Sequence, residues 1–247
     1  MKRIECIIMD WAGTAVDYGC FAPVAAFIKA FAEKELVIDV AQTRKPMGLP
    51  KIQHIRELLT MPAVNDQFIS RYHRPWTEED VAALNLLFEK YLFASLKEYT
   101  DPIPGVISTL DRLRDEGLKI GSTTGYTREM MDVVLPAAQV KGYCVDYCAT
   151  PNLLPAGRPA PYMIFENMIR LAVPSLDTVI KVGDTIADIK EGVNAKVWSI
   201  GVILGSNEMG LTEEETKALP ADELERRMED VKNRMLAAGA SYVIRSI

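Results

Sequence analysis

Four short apolar runs, each ending in a polar loop, constrain the fold of this chain more than any other feature. They lie at residues 4–9, 118–121, 178–182 and 197–204. Runs of this length are too short for independent helices and are typical of strands buried on both faces. The helical patterns that alternate with them lie at 106–116, 128–138 and 186–195. This alternation predicts an α/β fold with a doubly wound parallel sheet, whose ligands bind beyond the carboxyl ends of the strands.

The segment between the first two runs has a different pattern. Helical spacing recurs at residues 22–36, 51–59 and 81–96, and no strand pattern separates the three. We therefore expect a helical cap domain at residues 19–99, inserted into a core formed by residues 1–18 and 100–247. A charged helix at 221–238 and a short strand at 242–244 are expected to complete the core.

Composition excludes several classes of protein. The chain has 247 residues and a net charge of −6, which disfavours a nucleic-acid surface because such surfaces need clustered Lys and Arg. No apolar stretch approaches the ~20 residues that cross a bilayer, so we expect no membrane span. The four cysteines, Cys6, Cys20, Cys144 and Cys148, have neither a redox nor a zinc-binding spacing. We expect reduced thiols and a cytoplasmic protein.

Carboxylates follow two of the predicted strands. Asp10 ends the first and is followed by Gly13 and Thr14, whereas Asp184 and Asp188 follow the third. A carboxylate at a strand end can attack phosphorus as a nucleophile, although an Asp that caps a turn is also common. Converging carboxylates repel each other unless a cation is present, and hard oxygen ligands suit Mg²⁺. We therefore predict one Mg²⁺-assisted site that contains these aspartates.

A second group of candidate residues lies in the predicted cap. Lys51 opens a helix, and His54 follows three residues later on the same face. A Lys at the positive end of a helix dipole ionises less readily, and a neutral amine can form a Schiff base with an aldehyde. The spacing alone favours an exposed Lys at a helix start. His54 is either a proton shuttle or a polar helix residue in contact with solvent.

The order of these motifs resembles the haloacid dehalogenase superfamily. The four loops of that superfamily match residues 10–14, Thr124, Arg158 and residues 183–188. The resemblance implies that Thr124 and Arg158 bind phosphoryl oxygens, although Arg158 is also consistent with a salt bridge in a loop. It further implies that Asp10 of the first loop and Asp184 of the fourth hold Mg²⁺. Asp188 would be either a direct ligand or a residue that holds metal-bound water.

One position departs from the phosphatases of this superfamily. They usually carry a second Asp, two residues after the nucleophile, which protonates the leaving alkoxide. Here that position is Ala12, which can offer the metal only its backbone carbonyl. The departure implies a leaving group that needs no such proton, or a protein that is not an efficient phosphatase.

The cap motif narrows the resemblance to the phosphonoacetaldehyde hydrolase family. Met47 and Gly48, followed by Lys51 and His54, look like the corresponding segment of that family when taken together with residues 10–14. The resemblance implies that Lys51 forms an imine with the substrate aldehyde. The iminium would then accept the electrons of the C–P bond when Asp10 attacks phosphorus, so that no acid is needed at position 12.

Met47, Gly48, Tyr126 and Cys20 are further candidates for substrate binding. The alternatives are core filling for Met47, packing at a helix start for Tyr126 and a small buried hinge residue for Cys20. We expect a small phosphonate substrate from 2-aminoethylphosphonate degradation, no nucleic-acid or membrane partner, and a homodimer joined through the caps. The aromatic stretch at 88–93 could supply the dimer surface or the core of the cap.

Two other functions remain open at this point. One is another enzyme of the same superfamily: a phosphatase or phosphomutase that acts on another small phosphorylated metabolite, or a haloacid dehalogenase, which would not need the Mg²⁺ cluster. The other is a catalytically silent phosphate-binding or partner-binding protein, against which the joint presence of the candidate residues argues.

Overall fold

The computed structural model describes residues 3–47 and 49–247. The chain forms two compact units: Met1–Cys20 with Thr100–Ile247, and Phe21–Tyr99. We call the first the core unit and the second the inserted unit. Gly48, which was predicted to bind substrate, lies outside the described residues.

A parallel sheet lies at the centre of the core unit. Its six strands, within the described residues, are Cys6–Met9 (β1), Lys119–Thr123 (β2), Tyr147–Ala149 (β3), Val179–Gly183 (β4), Trp198–Val202 (β5) and Tyr242–Ile244 (β6). They are ordered β3-β2-β1-β4-β5-β6, and each neighbouring pair is parallel. The strand order therefore reverses at β1, which lies between β2 and β4. The predicted α/β fold with a doubly wound parallel sheet is confirmed.

The inserted unit is helical in the part of it that is described. Its α-helices are Phe21–Glu33 (α1), Val40–Arg44 (α2), Lys51–Thr60 (α3), Pro62–Tyr72 (α4) and Glu78–Ser95 (α5). Apolar faces of α1, α3 and α5 pack together because each carries apolar residues at helical spacing. Phe88 and Leu92 are fully buried in this packing, whereas Phe93 is 39% exposed. Phe88 and Leu92 thus belong to the core of the unit, whereas Phe93 lies at its surface.

Six helices complete the core unit within the described residues. They are Val106–Asp115 (α6), Arg128–Val140 (α7), Tyr162–Arg170 (α8), Glu213–Ala218 (α10) and Ala221–Ala237 (α11), with Ile186–Ala195 (α9) between β4 and β5. No helix among the residues that the structure describes is long and apolar enough to cross a membrane.

Three core elements were not predicted from the pattern. Strand β3 has only three residues, none of them β-branched, and lies at the sheet edge. The equally short β6 was predicted because it contains Val243 and Ile244. Helix α8 follows a loop rich in Pro and Gly. Helix α10 is only six residues long and mostly charged. Helix α7 continues to Val140 although Pro136 lies inside it.

Asn167 fixes the position of β2, the strand that leads to the predicted phosphoryl-binding threonine. From α8, its amide nitrogen donates to the carbonyl oxygens of Ser122 (2.8 Å) and Met163 (2.9 Å), and its amide oxygen accepts from the Ser122 N–H at 3.2 Å. Gly121 makes room for this contact, because a Cβ there would lie 2.4 Å from the Asn167 oxygen.

Asn167→Leu should therefore lower the free energy of unfolding by about 2–3 kcal/mol, because buried backbone groups of β2 lose their side-chain partner. Urea denaturation measures this change. Arg170→Ala, which removes an exposed partner from the same helix, is the matched control and should leave the midpoint unchanged. Equal midpoints for the two variants would contradict the assignment of this role to Asn167.

Candidate active site

Neighbouring strand ends bring the predicted carboxylates together. Asp10 directly follows β1, and its N–H donates to the carbonyl oxygen of Val182 on β4 at 2.8 Å. Asp184 follows β4, and Asp188 lies one turn into α9. Asp10, Asp184 and Asp188 are all buried, and each offers an oxygen atom within 4.8 Å of those of the others.

A tight turn after Asp10 shapes one side of this cluster. The Trp11 carbonyl accepts from the N–H groups of Ala15 and Val16 at 2.8 and 3.0 Å. Gly13 has a φ of +87°, and a Cβ at this position would lie 2.3 Å from an Asp184 oxygen. Glycine is required here both for the left-handed backbone and for the close approach.

Asp184 is held by two donors from the surrounding loops. Thr14 Oγ1 donates to Asp184 Oδ1 at 2.9 Å, and the N–H of Asn207 donates to Oδ2 at 2.7 Å. Both carboxylate oxygens are therefore fixed in direction.

Asp188 belongs to a capping box at the start of α9. Thr185 donates to Asp188 Oδ2 through its hydroxyl at 2.6 Å and through its N–H at 3.2 Å. The other oxygen, Oδ1, pairs with Arg158 Nη1 at 3.0 Å and with Lys181 Nζ at 2.9 Å. Two cations thus share the oxygen of Asp188 that does not cap the helix.

Arg158 connects the carboxylates. Its Nη2 donates to Asp10 and, at 2.9 Å, to Thr123 Oγ1, while Nε donates to Glu191 Oε2 at 3.2 Å. Burial alone would lower the pKa of Arg158, but the charges of Asp10, Asp188 and Glu191 raise it above its ordinary value. The guanidinium is therefore a permanent buried cation, in contact with the predicted nucleophile.

Three residues of this cluster were missed by sequence reasoning: Thr123, Lys181 and Glu191. All three are fully buried. Lys181 could have been found from the sequence, because it is a charged residue inside an apolar strand. A buried Lys needs a carboxylate partner, so it pointed to a buried ion pair. Glu191 gave no such signal, since a Glu beside Lys190 in a helix is normally solvent-exposed.

The electrostatics of the cluster fit a divalent cation. In the described part of the chain it contains four carboxylates (Asp10, Asp184, Asp188 and Glu191) and two cations, so that two negative charges are in excess when all are ionised. Burial, and then the charges of Asp10 and Asp188, raise the pKa of Asp184 well above its ordinary value. Arg158 and Lys181 overcome the effect of burial and lower the pKa of Asp188. Oxygen ligands that repel each other in this way suit a hard divalent metal ion.

The remaining core residues lie around the same strand ends. The Thr124 hydroxyl accepts from the N–H of Tyr126 at 3.1 Å, and both side chains are buried. Ala12 is half-buried and forms a β-bridge with Val16 in the turn after Asp10. Cys20 is buried, with a φ of +54°, at the last position of the first core segment.

Within the inserted unit, Lys51 and His54 lie in an aromatic cluster. His54 stacks on Phe27 with ring centroids 4.0 Å apart, and Phe27 stacks on Phe88 at 4.1 Å. Lys51 Nζ lies 5.7 Å from the centroid of Phe27 and 5.6 Å from that of Phe88. Met47, half-buried, donates its N–H to the carbonyl of Arg44 at 3.0 Å in the preceding loop.

His54 is held neutral by its surroundings. It is fully buried, and this burial, followed by the positive charge of Lys51, lowers its pKa to about 2. A neutral imidazole has one donor and one acceptor nitrogen, an arrangement suited to passing a proton on.

Known proteins resemble this chain in sequence and in fold. A family model described as haloacid dehalogenase-like hydrolase matches residues 4–196. A phosphonoacetaldehyde hydrolase of Bacteroides fragilis is 85% identical over 247 residues, which cover all of this chain and 94% of the relative. A bifunctional phosphonoacetaldehyde hydrolase/aminoethylphosphonate transaminase of Clostridioides difficile is 47% identical over all of this chain and 39% of its own length.

A solved structure agrees with these relatives. The crystal structure of a phosphonoacetaldehyde hydrolase-like protein from Oleispira antarctica superposes with a TM-score of 0.95 at 35% identity, covering 99% of this chain and 89% of the other. The chain therefore belongs to the haloacid dehalogenase-like hydrolases and, within them, to the phosphonoacetaldehyde hydrolase family.

Proposed function

We propose that this protein hydrolyses the C–P bond of phosphonoacetaldehyde to acetaldehyde and phosphate, through a Schiff base on Lys51 and an aspartyl-phosphate on Asp10. One combination of features carries the proposal. A buried carboxylate site has Ala12 in place of a general acid, and the same chain presents an amine, Lys51, against aromatic rings beside a neutral histidine. The names of the relatives support the same substrate.

The metal of this site is proposed to be Mg²⁺. Asp10 and Asp184, with the backbone carbonyl of Ala12, would hold it. Asp188 would act through bound water, because Thr185, Arg158 and Lys181 already engage its two oxygens. When bound, Mg²⁺ shields the negative charge of the phosphoryl group from the attacking carboxylate.

Lys51 begins the proposed reaction. Its amine adds to the aldehyde carbon, and the carbinolamine loses water to give an iminium. His54, neutral and within the same cluster, relays the protons that this step moves. The apolar rings of Phe27 and Phe88 position the amine.

Asp10 then carries out phosphoryl transfer. Its carboxylate attacks phosphorus, the C–P bond breaks, and the electron pair passes into the iminium to give an enamine. Arg158 and Thr124 bind phosphoryl oxygens during this step. Protonation of the enamine carbon and hydrolysis of the imine release acetaldehyde, and water hydrolyses the aspartyl-phosphate to phosphate. The leaving group is carbon, so Ala12 needs no acidic side chain.

We also propose a place for the reaction in 2-aminoethylphosphonate degradation. The Clostridioides difficile relative is named as a hydrolase joined to an aminoethylphosphonate transaminase. A transaminase that converts the amine of this phosphonate to an aldehyde would supply the substrate. Association as a homodimer, a cytoplasmic location and substrate-binding roles for Met47, Gly48, Tyr126 and Cys20 remain predictions.

Borohydride should trap the proposed imine on Lys51. Incubation with phosphonoacetaldehyde and Mg²⁺, followed by reduction, should give a mass increase on the peptide that contains Lys51 and a loss of activity. Lys51→Arg keeps the charge but cannot form an imine, so it should abolish the adduct and lower kcat by about 10³-fold or more. Lys45→Arg, an exposed lysine of the same segment, is the control. Phosphate release from simple esters without any adduct would instead favour the phosphatase alternative.

Asp10→Asn should separate the two chemical steps. The amide is a poor nucleophile, so phosphate release should stop, whereas the Lys51 adduct should still form because imine formation needs no carboxylate at Asp10. Phosphate assay and peptide mass spectrometry on the same sample measure both steps. Phosphate release at the wild-type rate would exclude an aspartyl-phosphate on this residue.

His54 should make stability depend on pH. Its folded pKa of about 2 lies below the ordinary value of 6.5, so the unfolded chain binds more protons below pH 6.5. The contribution of the neutral ring is therefore fully present above about pH 6.5 and is lost as the pH falls towards 2. Between pH 7 and 5.5, wild type should lose about 1 kcal/mol more than His54→Leu.

Urea denaturation at the two pH values measures this difference. The matched control is His73→Asn, which changes the chain's other histidine, an exposed residue with left-handed backbone that Asn tolerates. It should keep the pH dependence of wild type. If His54→Leu showed the same pH dependence as wild type, the pKa of His54 would not be lowered in the folded protein.

A further inference from the structure

The cluster around Arg158 contains an ion pair that the proposed reaction does not use. Lys181 and Glu191 are fully buried, and Lys181 Nζ lies 3.3 Å from Glu191 Oε2. Lys181 also donates to Thr123 Oγ1 at 2.7 Å and pairs with Asp188 at 2.9 Å. Glu191 Oε2 accepts from Thr123 Oγ1 and from Arg158 Nε, both at 3.2 Å.

These contacts determine the direction of the Arg158 guanidinium. Its planar group donates in fixed directions. Glu191 occupies the Nε side, which leaves Nη2 for Asp10 and Thr123 and Nη1 for Asp188. If the acceptor on Nε is removed, the guanidinium loses one of the four partners that orient it.

Close packing of α9 on β4 makes the pair possible. Gly192 lies beside Glu191, and a Cβ on Gly192 would lie 2.8 Å from Ser199 Oγ and 3.2 Å from the Cβ of Lys181. The helix therefore approaches the strand closely enough for a side chain of α9 to reach an ammonium inside the sheet.

Stability alone does not account for this arrangement. Buried ion pairs are often replaced by apolar pairs of similar volume without loss of stability, because desolvation offsets the attraction of the charges. A pair that only filled the core would therefore have no need to contact Arg158 and Asp188.

We propose that Lys181 and Glu191 are positioning residues, which through Thr123 and Arg158 hold the site in the geometry that binds and transfers the phosphoryl group. This inference rests on the phosphoryl-transfer half of the proposed function. Lys181, the second buried cation of the cluster, would orient Arg158 and Asp188 and would not contact the substrate.

Two double variants with the same charge test the proposal. Lys181→Met with Glu191→Leu removes both charges and the acceptor for Arg158 Nε. Lys181→Met with Glu191→Gln removes both charges but keeps an acceptor oxygen. Lys190→Met changes an exposed neighbour on α9 and serves as the control that should match wild type.

The Leu double variant should lower kcat by about 10²-fold, the effect expected from a misplaced binding group, and should weaken binding of inorganic phosphate about tenfold. The Gln double variant should show a smaller loss of kcat, up to about tenfold, because it keeps the acceptor for Arg158 Nε but lacks the ammonium that contacts Thr123 and Asp188. Steady-state kinetics at saturating Mg²⁺, calorimetry with inorganic phosphate, and urea midpoints are compared for all the proteins. Equal kcat and phosphate affinity in the two double variants, or losses that follow only the urea midpoint, would overturn the proposal.

Thr123→Val provides an independent test if the Leu double variant does not fold. It keeps the shape of the side chain and removes the hydroxyl that joins Arg158 to Lys181. A loss of kcat and phosphate affinity of about tenfold or more is expected, and wild-type values would refute the proposal. Phosphate affinity is measured without turnover, so a failure of the protein to cleave phosphonoacetaldehyde would reject the proposed function and leave this comparison intact.

Discussion

The burial of four carboxylates at one edge of a parallel sheet is the constraint on which the rest of the core depends. In a medium of low polarity, such groups are tolerated only when cations and hydrogen-bond donors compensate them. Arg158, Lys181 and the hydroxyl groups of the surrounding threonines provide much of this compensation. Two negative charges remain in excess when all of these groups are ionised, which is why the cluster suits a hard divalent cation.

The two units provide different environments for their candidate residues. The core unit stabilises charge: its candidate residues are surrounded by ions and by donors with fixed directions. In the inserted unit, the Lys51 amine lies against the rings of Phe27 and Phe88. The imidazole of His54 stacks on Phe27, and its burial favours the neutral form. Phosphoryl transfer needs the first environment and carbonyl–amine condensation needs the second. In the proposed reaction, these two environments would serve the two steps that together break the C–P bond.

The sequence predicted those parts of the fold and site that local patterns encode. Asp10 and Asp184 were recognisable because each follows an apolar run, and parallel strands bring their carboxyl ends to one edge. Glu191 was not recognisable, because its partners Thr123, Lys181 and Arg158 are distant in the chain and only the close packing of α9 on β4 brings them together. Strand β3 was missed because its three residues include no β-branched side chain, unlike those of the equally short β6.

The way in which the chain leaves and re-enters the core unit has a consequence for folding. Before the inserted unit begins and after it ends, the two core segments are joined by a β-bridge between Val16 and Pro102 and by hydrogen bonds from Asp17 N–H to Asp101 O (3.1 Å) and from Ile103 N–H to Ala15 O (2.9 Å). These bonds close a loop that contains the whole inserted unit. Because closure entropy depends on the length of disordered chain, prior collapse of the insertion would shorten the effective loop and speed the pairing of β1 with β2. An insertion that folds before the sheet forms would thus lower the entropy cost of bringing the central strands together.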